Sequence, residues 1–110
     1  MKVKVNQRDL SKHISIAQKG ISPRATLPIL DGLLLETNKG RLKIIGTDLD
    51  IGIETYLDCE VEKDGSIVVN SRIFGDIIRK LPDAPIYINV ENNNINIRCE
   101  NSEFNILGSS

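Results

Sequence analysis

Thr26-Leu27-Pro28-Ile29-Leu30, running on to Gly46-Thr47-Asp48-Leu49-Asp50, is the stretch whose reading decides the fold of this 110-residue chain. It reads as a hairpin: a strand from Leu27 to Thr37, a turn at Asn38-Lys39-Gly40, and a strand from Arg41 to Thr47. Leu33-Leu34-Leu35 is the short apolar run of a strand covered on its inner face. Leu42, Ile44 and Gly46 alternate with Lys43, Ile45 and Thr47, as on a pleated strand. Asn38 and Gly40 suit the positive φ of a tight turn. Pro28 has no amide hydrogen to give a ladder, so it belongs at the strand's first residues or on an edge.

Upstream, Lys2 to Asn6 alternates as a strand, and Asn6 suits a helix N-cap with Asp9 in the first turn. Leu10, Ile14, Ala17 and Ile21 then recur at helical spacing, with Gly20 as the stop. Arg8, Lys12, Ser15 and Lys19 form a second stripe, so one face of this helix is mostly basic. A loop, Ile21 to Thr26, leads into the hairpin. Downstream, one strand is expected from Ile51 to Val61, with Ile51, Ile53, Thr55, Leu57 and Cys59 on one face. A turn at Glu62-Lys63-Asp64-Gly65 and a strand from Ser66 to Val69 follow. Asn70 or Ser71 caps a second helix with the stripe Phe74, Ile77, Ile78 and Leu81, and Pro82 stops it. Ile86 to Val90, Ile95 to Cys99 and Glu103 to Leu107 are further strands, the first two joined by a turn at Asn92-Asn93-Asn94.

The order strand, helix, three strands thus occurs twice, and the residues support a duplication. Val5-Asn6-Gln7-Arg8 matches Val69-Asn70-Ser71-Arg72 at an offset of 64, and Leu10 and Ile14 fall on Phe74 and Ile78. Past the helices, Leu42 and Ile44 fall on Ile95 and Ile97 at an offset of 53, so the first half carries eleven extra residues in the loop around Arg24. A long loop of this kind is more often functional than the elements it joins. Two such half-units sharing one core make an α+β layered domain, its two helices on one face of antiparallel sheet.

The bulk numbers exclude several classes. With 40% hydrophobic and 26% charged residues the chain is ordinary globular material. The formal charge of −1 advertises no nucleic-acid partner, so any such binding rests on local patches. No apolar run approaches a membrane span, and Met1-Lys2-Val3-Lys4 lacks the apolar core of a signal peptide. Cys59 and Cys99 stand far apart and read as reduced, packed thiols of a cytoplasmic protein.

Catalytic chemistry is poorly served. His13, the single histidine, reads as a solvated residue beside the basic stripe, and no nucleophilic triad or zinc spacing exists. Asp48 and Asp50 are open to two readings: a turn whose carboxylates bond local amides, or a magnesium-binding pair of an enzyme. The expectation is no catalytic residue, no metal and no cofactor. The basic residues are more suggestive. Arg8, Lys12 and Lys19 share one helix face, Arg72 and Arg79 a face of the other, and Arg24 sits in the inserted loop. Were the two helices related by a pseudo-two-fold, the stripes would merge into a patch that contacts phosphates without reading bases. With two Phe and two Tyr, a base-stacking platform is not expected. A protein-interaction domain whose charges serve only solubility is the other reading.

Arg24-Ala25-Thr26-Leu27-Pro28-Ile29-Leu30, Gly46-Thr47-Asp48-Leu49-Asp50 and Arg72-Ile73-Phe74-Gly75-Asp76-Ile77-Ile78-Arg79-Lys80-Leu81-Pro82 together resemble the bacterial DNA polymerase III beta subunit family, the replicative sliding clamps. The resemblance covers all 110 residues and implies the first of three clamp domains, the others lying outside this chain. It implies a DNA clamp fold, a duplicated βαβββ unit, and a non-catalytic processivity factor of the polymerase III holoenzyme. Two protomers would form a homodimeric ring around duplex DNA, with helices lining the channel. Arg24 and Arg72 match the family's DNA-contacting arginines and Arg79 a basic family position, so the resemblance implies all three as DNA-binding residues. Phe104 and Ile106 match apolar residues of the last strand, which in the family meets the other protomer. Asn94, Asn101 and Glu103 stand where the family pattern places arginines near that strand, so the resemblance implies the apolar contact across the ring and leaves its charge pairing open. Polymerase and clamp-loader peptides would bind through domains this chain does not contain.

Overall fold

The computed structural model describes residues 1–21, 32–47 and 52–109. The notable finding is how the two halves interlock. The first half contributes β1 (Lys2–Asn6), α1 (Gln7–Gln18), β2 (Gly32–Asn38), β3 (Arg41–Thr47) and β4 (Gly52–Asp58). A short β5 (Glu60–Lys63) links it to β6 (Ser66–Asn70), α2 (Ser71–Lys80), β7 (Pro85–Glu91), β8 (Asn94–Cys99) and β9 (Ser102–Leu107). The sheets are ordered β5-β1-β7-β8-β9 and β4-β3-β2-β6. Each half therefore gives its first strand to the other half's sheet. Val5 pairs with Ile86 on β7, and Val69 pairs with Leu33 on β2. All strand pairs are antiparallel, which confirms the α+β class and the duplicated plan.

The pairing register carries the repeat further than the sequence showed. Leu35 faces Ile44 as Ile88 faces Ile97, so the 53-residue offset holds through β2 and β3. Leu42 faces Leu57 and Ile95 faces Ile106, which gives β4 and β9 a third offset of 49. At that offset Glu60 falls on Ser109, and Ser109 bridges Val68 as Glu60 pairs with Lys4.

Local chemistry explains the elements. Asn6 caps α1 by accepting from the Asp9 amide at 3.1 Å, and Asn70 caps α2 by accepting from the Ile73 amide at 2.9 Å. Leu81 turns extended ahead of Pro82 and ends α2, because the residue before proline avoids the helical region. Asn92 and Asn93 both take positive φ in the β7–β8 turn, as a two-residue hairpin requires. In the β2–β3 turn Lys39 (φ 51°) and Gly40 (φ 80°) do so, and Asn38 does not.

Three expectations need correction. The strand expected from Ile51 to Val61 is two strands, broken at Cys59, because the chain leaves one sheet for the other there. Gly20 does not close α1 with a left-handed turn; the helix ends at Gln18 with Lys19 as its cap. Gly20 is needed for close packing, since a Cβ there would lie 2.3 Å from the Gly46 carbonyl oxygen. His13 is not a free surface residue: its Nδ1 lies 2.6 Å from Thr55 Oγ1, tying α1 to β4.

The core lies between the sheets and helices. Leu10 and Ile14 of α1 and their repeat partners Phe74 and Ile78 of α2 are fully buried, as are Leu33, Leu35, Leu42, Ile44, Ile86, Ile88, Ile95 and Ile97. Both cysteines are free thiols. Burial and then the Glu100 charge push the Cys99 thiol above its ordinary value; burial and then Asp58 do the same at Cys59.

Candidate nucleic-acid interface

The two helices lie against each other, antiparallel. Gln7 at the start of α1 reaches the Ile78 carbonyl near the end of α2, and Gln18 at the end of α1 reaches Ser71 at the start of α2. Their basic stripes therefore fall on one layer. From Gln7 to Lys19 and from Ser71 to Lys80 there are six basic and two acidic residues, a balance of +4 in a chain of −1. The remaining surface is accordingly acidic. Such a sign asymmetry is the electrostatic footprint of a phosphate-facing surface.

The members of the layer differ in how free they are. Arg72, second residue of α2, is exposed, and among the described residues no ion pair engages it. Lys12, Lys19 and Lys80 are likewise exposed. Arg8 pairs with Asp83 at 3.1 Å, with both side chains largely in water. Arg79 is committed: it lies 3.8 Å from Asp76, donates to Ser15 Oγ at 3.3 Å and donates to the Gln18 amide oxygen. Arg24, Asp48 and Asp50 lie outside the described residues.

The five-stranded sheet ends, at β9, in an open strand. β9 has β8 on one side and no described strand on the other. Phe104 and Ile106 share the core-side face, opposite buried Ile97 and Ile95. Phe104 is 38% exposed and Ile106 packs partly against the core. Leu107, on the other face, is 80% exposed. Glu103 accepts from Asn96 at 2.8 Å, and Asn105 accepts from Asn94 and Asn96 at 3.3 and 3.1 Å, so the outer face beside this edge is polar and self-bonded.

A hollow of about 600 Å³ lies on the solvent face of the five-stranded sheet. Four of its charges pair locally, Lys2 with Glu62 and Lys4 with Glu60, each at 3.5 Å, while Arg98 stands over the Tyr87 ring at 5.7 Å. Among the described residues, no group of three or more His, Cys, Asp or Glu side chains is placed to hold a metal ion. No helix among them is long and apolar enough to cross a membrane. Sequence reasoning missed Gln7, Gln18 and Ser71, which join the helices. Gln7 and Gln18 stand eleven residues apart, about three helical turns, and that spacing was the available signal.

The family model for the DNA polymerase III beta subunit, N-terminal domain, matches residues 1–110. A beta sliding clamp of Bacillus subtilis is 33% identical over 117 aligned residues, covering 98% of this chain and 31% of that protein. One of Streptomyces coelicolor is 28% identical over 96% of this chain and 28% of its own length. Among solved structures, Caulobacter crescentus pol III beta superposes with a TM-score of 0.93 at 29% identity, over all of this chain and 30% of that one. The Helicobacter pylori beta clamp bound to a DNA ligase peptide does so at 0.92 and 26% identity, over 100% of this chain and 31% of that one. The chain thus spans under a third of the length of these relatives.

Proposed function

Because this chain belongs to the family of DNA polymerase III beta subunit N-terminal domains, we propose that it is the first domain of a replicative sliding clamp, a cytoplasmic processivity factor without catalytic residues. Two three-domain protomers would close a ring around duplex DNA and tether the polymerase. The carrying observation is the helix layer: two antiparallel helices side by side, balanced at +4 on an otherwise acidic domain. Such a layer contacts phosphates and carries no base readout, which suits a ring that must slide. Arg72 and, in the inserted loop, Arg24 are the proposed phosphate contacts. The amides at the start of α2 and the Arg72 guanidinium can face one phosphate together. The open edge of β9, with Phe104 and Ile106, is the proposed seat of the other protomer's third domain. Clamp loader and polymerase peptides would bind elsewhere in the ring.

The test is duplex binding by the wild type and by Arg24→Ala with Arg72→Ala, read across a salt series. One domain with few phosphate contacts binds weakly, with Kd of about 10⁻⁴ to 10⁻⁶ M at physiological salt. The double variant is expected to keep its melting temperature and to lose about one unit of salt slope per phosphate contact removed. Parallel lines of equal affinity would show that these arginines do not touch phosphate.

A further inference from the structure

The seam between α1 and α2 is polar, and it is tied at both ends. Gln7 Nε2 donates to the Ile78 carbonyl at 2.8 Å, near the end of α2. Gln18 Nε2 donates to the carbonyl and hydroxyl of Ser71, at 3.1 and 3.0 Å, at its start. Bonds from one helix to the backbone carbonyls of the other fix how far the two can slide past each other. Gln18 has a second partner: its amide oxygen accepts from the Arg79 guanidinium. Ser71, Gly75 and Arg79 succeed one another at intervals of four along one ridge of α2, with Gln18 laid across it.

Gly75 makes room for this arrangement. A Cβ at Gly75 would lie 2.8 Å from Gln18 Nε2 and 2.9 Å from Arg79 Nη1. The next residue after Ser71 is Arg72, whose own side chain has no ion pair among the described residues. We propose that Gln18 and Arg79 are positioning residues. They clasp the start of α2 to α1 and so set where Arg72 stands, and Arg79 itself makes no phosphate contact. This deepens the DNA-holding reading above and rests on it. A long side chain aimed at a ligand is effective when the backbone beneath it is held by supporting bonds, and a network with every member satisfied holds it best.

The experiment measures binding of this chain to a short random-sequence duplex by fluorescence anisotropy over a salt series. The variants are Arg72→Ala, Gln18→Met, Gly75→Ala and Arg79→Gln. Gly75→Ala removes no charge and no hydrogen-bonding group, so it isolates the clasp. Gln18→Met and Gly75→Ala are expected to weaken binding about threefold or more, as residues of one coupled network do, with salt slopes parallel to the wild type. Arg79→Gln is expected to do the same, whereas Arg72→Ala lowers the slope by about one unit. Should a seam variant fail to fold, Arg79→Gln carries the test, because Arg79 is exposed. In the folded wild type the Gln18 side-chain amide protons should exchange slowly with solvent, and in Arg79→Gln faster. A slope lowered by about one unit in Arg79→Gln would make Arg79 a phosphate contact and overturn the proposal. Unchanged affinity in Gln18→Met and Gly75→Ala, beside a loss in Arg72→Ala, overturns the clasp and leaves the DNA-holding reading standing. No change in Arg72→Ala overturns both.

Discussion

Gly46 of β3 and Ala17 of α1 meet backbone to backbone: a Cβ at Gly46 would stand 2.1 Å from the Ala17 carbonyl oxygen. Gly20, just past the end of the same helix, meets the same glycine: its Cβ would lie 2.3 Å from the Gly46 carbonyl oxygen. The last turn of α1 is therefore seated on β3 at a distance that only two glycines permit. Through that seat the sheet fixes where the helix ends, and with it Gln18.

Gly46→Ala is expected to destabilise the domain by about 3 kcal/mol, the upper range for overpacking a rigid interior. The Ala17 carbonyl, the group it would strike, is backbone and cannot swing away as a side chain can. The urea midpoint checks it; a midpoint equal to the wild type's would show that the helix moves freely off the strand.

Lys43 lies on the solvent face of β3 between Glu36, at 2.9 Å, and Glu54, at 3.7 Å. The hydrogen bond to Glu36 holds its ammonium above the ordinary value of 10.5, and the nearby charges of Glu36 and Glu54 add to this. The folded state thus favours the charged form. The contribution is fully present below the unfolded value and is lost as pH rises through the higher folded value. Lys43→Met should therefore melt below the wild type at neutral pH, with the gap closing above pH 10.5. Melting curves across that range are the measurement; a constant gap would assign the loss to packing.

Ile106→Lys tests the β9 edge in the three-domain protein proposed above. Ile106 sits opposite buried Ile95 at the margin of the core, so the ammonium would be brought into any strand pairing there. Unpaired charge at a closely packed interface is costly. Sedimentation of the full ring former should show a dimer that dissociates at higher protein concentration than the wild type, with the melting temperature of the isolated domain as the control for local damage. Unchanged dissociation would remove β9 from the interface.

Much of this protein is local and was legible in its sequence. Asn6 and Asn70 cap helices, Pro82 ends one, and Asn92 and Asn93 make a hairpin turn, because each effect acts within a few residues. Alternation and helical spacing placed Leu10, Ile14, Phe74 and Ile78 in the core, since periodicity reports which face an element buries. The offsets of 64 and 53 showed the duplication. What no local rule contains is the exchange of first strands between halves, which joins β1 to β7 and β6 to β2. The break at Cys59 follows from that exchange, since the chain must cross from one sheet to the other. Arg72 and Arg79 look alike in sequence, two basic residues of one helix. Only the antiparallel packing of α1 on α2 commits one to Gln18 and Ser15 and leaves the other open, because a side chain's partners are fixed by contacts across 61 and 64 residues of chain that spacing within a helix cannot reveal.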